Sequence, residues 1–132
     1  MNSNKMQSHI FYLWHDFRGE LSFLLNKIRL SSYARIHTLR SKIALWLKGV
    51  AYGKKLSCRG PLLVSRFQCS TIQIGDNCTF NSSSWFNFRG LNHSCILQTG
   101  KPGAKIIIGN HCGFSGVSIV ADREVLIEAH VV

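Results

Sequence analysis

Six histidines and five cysteines carry most of the chemistry open to this sequence. An imidazole can take a proton from a hydroxyl near neutral pH, and a thiolate can attack an acyl group or ligate a metal. Both uses require partners at suitable spacings. Cys58, Cys69, Cys78, Cys95 and Cys112 stand 11, 9, 17 and 17 residues apart, with no Cys-x-x-Cys pair and no zinc-finger spacing to a histidine. Neither a disulfide framework nor a metal site is expected from an odd set so arranged. His9, His15 and His37 lie in a stretch of helical period with no nucleophile pattern nearby. None of the six histidines forms a recognisable triad with a serine and an acid. Gly100-Lys101-Pro102-Gly103 holds a base that could approach a phosphate, but it lacks phosphate-loop spacing and reads as an outward loop.

The elements that would position these groups fall into two regions. From Phe11 to Val50, apolar residues recur every three or four positions: Leu21, Leu24, Leu25 and Ile28, then Ile36, Leu39, Ile43, Leu47 and Val50. That is helical spacing, and Ser31-Ser32 separates the two runs, so two helices are expected at about 9–30 and 33–50. Beyond Gly60 the helical period gives way to Gly, Ser, Asn, Val and Ile, the composition of short strands.

The second region repeats itself. Ile74-Gly75-Asp76-Asn77-Cys78-Thr79-Phe80, Leu91-Asn92-His93-Ser94-Cys95-Ile96-Leu97 and Ile108-Gly109-Asn110-His111-Cys112-Gly113-Phe114 share an aliphatic first position, a cysteine fifth and a large apolar seventh, at steps of 17. Inside this lies a step of six, Ile74, Phe80, Phe86 and again Ile108, Phe114, Val120, with the small residues Cys78, Ser84, Cys112 and Ser118 four after each starter; a looser copy begins at Ile127. Hexads nested in seventeens describe a chain winding about one axis, three short sides to a coil, with equivalent residues stacked about 4.8 Å apart. Starters then fill the interior, and Cys78, Cys95 and Cys112 stack as small buried hydrophobes. His93, His111 and His130 fall at corners before the small position, where polar turn residues are expected. The predicted fold is an all-β solenoid with an α-helical N-terminal segment, divided into a basic helical cap at 1–55 and coils at 56–132.

Charge follows the same division. Residues 1–60 hold 11 bases and 2 acids, and 61–132 hold 5 and 4, so nearly all of the +10 net charge sits in the N-terminal part. Anionic membrane surfaces and polyanions are natural partners of such an arm. No secretory signal is evident, and no run approaches the roughly 18 apolar residues of a spanning helix. The expected location is cytoplasmic, with peripheral contact at the inner membrane.

The stretch Ile74–Val132, with Ile-Gly-Asp-Asn-Cys, Ile-Gly-Asn-His-Cys-Gly-Phe-Ser-Gly-Val-Ser-Ile and Ile-Glu-Ala-His-Val-Val, resembles the hexapeptide-repeat acyltransferases. It looks most like the O-acetyltransferases related to maltose and galactoside acetyltransferase and to the colanic-acid type of surface-polysaccharide biosynthesis. The resemblance implies a left-handed parallel β-helix of hexapeptide repeats, assembled as a homotrimer with sites in the clefts between subunits. It further implies acetyl-CoA as acyl donor, a carbohydrate hydroxyl as acceptor and a histidine as general base. By the same resemblance Ser115 and Gly116 line the acyl and acceptor pocket, where an asparagine often replaces Ser115, and Asp122 falls near an acid that orders the acceptor. The catalytic histidine of the family follows in an Asp-Phe-His-like stretch past Ile127-Glu128. This chain ends at Val132, so its catalytic residue is unknown and the 132 residues read as an incomplete, truncated form.

Two other classes fit the residues. One is a non-catalytic basic module held at an anionic membrane surface or polyanion by residues 5–59; the lack of any helix-turn-helix, zinc or aromatic-basic RNA signature disfavours nucleic acid. The other is a decayed paralogue that serves as a structural subunit.

Overall fold

The structure is a computed structural model and describes residues 3–84, 91 and 93–132. Two helices come first, α1 (Ser3–His15) and α2 (Phe17–Leu47). Ten strands follow among the described residues: β1 (Ala51–Tyr52), β2 (Ser57–Arg59), β3 (Leu63–Ser65), β4 (Thr71–Ile74), β5 (Thr79–Asn81), β6 (Ile96–Thr99), β7 (Lys105–Ile108), β8 (Gly113–Ser115), β9 (Ser118–Ala121) and β10 (Glu124–Ile127). The chain divides into two compact units, Met1–Ser32 and Tyr33–Val132.

The helix break expected at Ser31-Ser32 is found instead at Asp16. Its carboxylate accepts the Gly19 N–H at 3.0 Å, the side-chain cap that starts a new helix. Ser31 and Ser32 are exposed and remain helical, since serine in a helix interior costs only a fraction of a kcal/mol, about 0.5. α2 stops at Gly49, whose left-handed φ of 70° lets Val50 N–H reach back to the Leu45 carbonyl at 2.9 Å.

All strand pairings in the second unit are parallel, and the chain visits three sheets in rotation: β1-β4-β7-β10, β2-β5-β8 and β3-β6-β9. The arrangement is compatible with a parallel β-helix. Alternation within each strand sends one set of residues inward. Ile72, Ile74, Ile106 and Ile108 from the first sheet, Cys58, Phe80 and Phe114 from the second, and Val64, Leu97, Ile119 and Ala121 from the third form one core. The rings of Phe80 and Phe114, paired in register, stack with centroids 5.2 Å apart.

The repeat of 17 is not one circuit of the three sheets. Ile74 pairs directly with Ile108, so that circuit takes 34 residues, and Ile108 pairs with Ile127 after only 19. The excess lies between β5 and β6, where 82–95 intervene; β8 and β9 are separated by Gly116 and Val117 alone. Cys95 consequently does not stack with Cys78 and Cys112. It precedes β6, in line with Leu62 and Val117, while Cys78 and Cys112 share a position just before β5 and β8. The hexad step also slips at its end. The short corner at Gly116 places Ile119 and Ala121 inward and leaves Val120 exposed, and Ser118 is exposed too, not in the small interior position. Ser84 is exposed, and Phe86 and Asn92 lie outside the described residues.

Among the described residues no helix is long and apolar enough to cross a membrane.

Candidate functional site

The corners before β2, β5 and β8 and the one after β10 share one construction. Lys55, Asn77, His111 and His130 have φ of 56°, 55°, 58° and 64°. Asparagine and histidine tolerate this left-handed turn better than most non-glycine residues, because short polar side chains bond locally. Two residues earlier, Gly53, Gly75 and Gly109 have ordinary backbone angles but no room for a side chain. A Cβ on Gly75 would lie 2.5 Å from Asn110 Oδ1 and 2.7 Å from the Gly109 carbonyl oxygen. The residue between them reaches across circuits: Asp76 Oδ1 accepts the Lys54 N–H at 2.7 Å, and Asn110 Oδ1 accepts the Asp76 N–H at 2.8 Å. The thiols of Cys78 and Cys112 close the corner from inside by donating to the carbonyls of Gly109 at 3.2 Å and Glu128 at 3.1 Å.

A cavity of about 500 Å³ opens against β8. Asn81, Ser115, Phe114, Val117, Ile119 and Val131 are among the residues lining it. Ser115 and Asn81 are register partners, and Asn81 Nδ2 donates to Ser115 Oγ at 3.3 Å. Asn81 Oδ1 is buried and has no hydrogen-bond partner among the described residues. A buried unpaired carbonyl oxygen costs about 1–3 kcal/mol, which a bound donor would offset. Gly116 follows in the chain with φ 57° and is not itself a lining residue; its N–H donates to the Asn81 carbonyl at 3.0 Å. A Cβ there would meet Leu91 Cδ2 at 3.1 Å and the His93 carbonyl at 3.2 Å, so the corner needs glycine on two grounds.

The third expected site residue lies elsewhere. Asp122 follows β9 and does not line the cavity; its carboxylate approaches Lys101 Nζ at 3.7 Å on the exposed corner after β6. Asn81 was not singled out in the sequence. Its signal was present, since Asn81 precedes Ser115 by 34 residues, the length of the circuit.

The histidines take dispersed positions. His111 and His130 occupy the exposed corner, with ring centroids 5.0 Å apart. His93 is not in that column; it precedes β6, and its Nδ1 donates to the Ser94 carbonyl at 2.9 Å, leaving Nε2 as acceptor in the neutral ring. His37 lines a second cleft of about 400 Å³ with Arg40, Ser41, Ala44, Pro61 and Leu62, and burial together with the Arg40 charge holds its pKa below the ordinary 6.5. In the first unit, His9 Nδ1 contacts the buried Glu20 carboxylate, and both line a hollow of about 410 Å³ with Tyr12, Asp16, Gly19 and Phe23. Among the described residues no group of three histidine, cysteine or acidic side chains could hold a metal ion. Nor does any imidazole line the cavity at Ser115.

Comparison with protein-family models, with curated proteins and with solved structures finds no match to this chain.

Proposed function

We propose that residues 51–132 form a left-handed parallel β-helix of hexapeptide repeats, and that the protein acts in acyl transfer from acetyl-CoA to a carbohydrate hydroxyl. The observation that supports this most directly is the recurring corner, Gly-Asp-Asn-Cys at 75–78 and Gly-Asn-His-Cys at 109–112, set between the in-register rows of Ile74 with Ile108 and of Phe80 with Phe114. It is the structural counterpart of the Ile-Gly-x-x-Cys series on which the resemblance rests.

In this reading the cavity at β8 is one wall of the acyl site. The acceptor oxygen attacks the thioester carbonyl, the carbon–sulfur bond breaks, and the CoA sulfur leaves as a thiolate that takes up the acceptor's proton by way of a base. Ser115 Oγ–H and Asn81 Nδ2 are the donors available to the carbonyl oxygen as charge develops on it. The base has to come from outside the residues that line the cavity, and a neighbouring copy in a trimer is one source of the opposite wall. Surface-polysaccharide units are the acceptor class.

Acetyl-CoA titration of the full chain tests the reading. Saturable binding, displaced by CoA and abolished by Ser115→Trp with the fold retained by circular dichroism, is the expected result. Failure to bind acetyl-CoA in every oligomeric fraction overturns it.

A further inference from the structure

The second half of α2 turns its apolar side away from the sheets. Within Tyr33–Leu47 the side chains directed at the sheets are mostly small or polar: Ala34, His37, Thr38 and Ser41, with Leu45 the one fully buried aliphatic. Thr38 fixes this orientation, because its hydroxyl accepts the Cys58 N–H at 2.9 Å and lies 3.2 Å from the Cys58 carbonyl oxygen. On the other side Ile36, Leu39, Ile43, Trp46 and Leu47 are each more than half exposed. At 3.6 residues per turn these five share an arc roughly 100° wide, the width of a core-facing stripe, yet it faces out.

The borders of the stripe are basic. Helical spacing puts Arg35 and Lys42 along one edge and Arg40 along the other, and 33–50 contain no acid. Among the described residues none of these three enters an ion pair, whereas Lys48 is already turned to the Val64 carbonyl. Isoleucine and leucine at the centre, an indole beside them and cations at both margins match the profile of a bilayer interface, with acyl chains below and headgroup phosphates at the sides. A second copy on the same face would bring like charges together, which disfavours self-pairing. The first unit, taken by itself, also carries exposed rings: Phe11, Trp14 and Phe17 are more than half exposed.

We infer that the Ile36, Leu39, Ile43, Trp46 and Leu47 face of α2 is a docking surface for anionic lipid bilayers, on which the helix lies in the plane of the interface. This inference does not rest on the acyl-transfer reading. It accounts for an apolar stripe that the core leaves unused and for the basic excess of the N-terminal part.

The test uses the full chain with vesicles of phosphatidylcholine alone and with vesicles carrying about one-third phosphatidylglycerol. Sedimentation with the anionic vesicles only, weakening as salt rises, is expected. Replacing Arg35, Arg40 and Lys42 together by glutamine should lower that affinity roughly 100-fold, at about fivefold per base. Ile36→Ser with Leu39→Ser and Ile43→Ser should lower it at least about tenfold while helix content is unchanged. In a Trp14→Phe, Trp85→Phe background, Trp46 emission should shift to the blue on binding and be quenched by brominated acyl chains. Unchanged Trp46 emission, equal binding by the serine variant, or retention of an RNA oligonucleotide in place of vesicles overturns the inference. So does a dimer in solution that the serine variant dissociates.

Discussion

The imidazole rings of His111 and His130 stack face to face, 5.0 Å between centroids and 1° between planes. That separation is close to the spacing of neighbouring strands, about 4.8 Å, and it arises because both residues occupy the left-handed corner of consecutive circuits. The backbone follows suit: His111 N–H donates to the Asp76 carbonyl at 2.8 Å and His130 N–H to the Asn110 carbonyl at 2.9 Å. The histidines are thus corner residues whose first requirement is conformational.

His111→Val should therefore destabilise the second unit by about 1–2 kcal/mol, since a β-branched residue is strained in a left-handed turn. His111→Gly should be close to neutral, because the ring makes no buried contact. Urea denaturation of the two variants separates a conformational role from one carried by the ring: equal losses in both would favour the ring.

Two glycines make a sharper comparison. Gly75→Ala drives a methyl group against Asn110 Oδ1 and the Gly109 backbone of the next circuit, and it displaces the acceptor of the Asp76 N–H. The expected cost is about 2–3 kcal/mol. Gly103 has φ 78°, but a Cβ there would meet nothing within 4 Å, so Gly103→Ala carries only the backbone strain, about 1 kcal/mol. If thermal melts rank the two variants in the opposite order, close packing between circuits is not what holds Gly75.

The sequence shows the corners more clearly than their spacing. Ile74-Gly75 and Ile108-Gly109 mark true equivalents, because a glycine forced by an adjacent backbone leaves an unmistakable trace. The step of 17 at Cys95 does not, since residues 82–95 between β5 and β6 double that circuit and bring a similar motif onto a different sheet. Val120 misleads for a related reason: one residue fewer at Gly116 reverses the pleat, and a period of two cannot absorb a shift of one. The helical period is right, but its amplitude hides the direction. Ala34, Thr38 and Ser41 face the sheets because small side chains permit close approach, which a hydrophobicity pattern scores as the wrong side. Of the expected site, Ser115 lines the cavity, Gly116 does not line it although its neighbours Ser115 and Val117 do, and Asp122 pairs with Lys101 away from it.

Thr38 tests how α2 is held. Thr38→Val keeps shape and volume but leaves the Cys58 N–H and carbonyl without their hydroxyl partner. The predicted loss is about 1–3 kcal/mol, and Thr38→Ser should recover most of it. Hydrogen exchange at the Cys58 amide gives an independent readout: exchange in the valine variant should be faster than in wild type, and unchanged exchange would mean that another group satisfies this backbone.

Cys58 supplies a pH dependence with a definite sign. Burial pushes its thiol from the ordinary 9.0 up to about 11, the Ser41 hydroxyl offsetting part of the rise. In the unfolded chain the thiol ionises first, so between pH 9 and pH 11 the unfolded state has lost a proton that the folded state retains. Stability from this group is fully present below pH 9 and falls as pH rises through that window, by about 3 kcal/mol in all. Cys78, raised in the same direction by burial, adds to the slope. Cys58→Ala tests the contribution, because it removes this thiol and leaves every other residue of the chain in place. The wild-type advantage over the variant, measured in urea, should shrink steadily above pH 9. If the two curves instead run parallel to pH 11, water reaches this thiol in the folded state, and the packing of α2 over Cys58 is looser than the Thr38 hydrogen bonds imply.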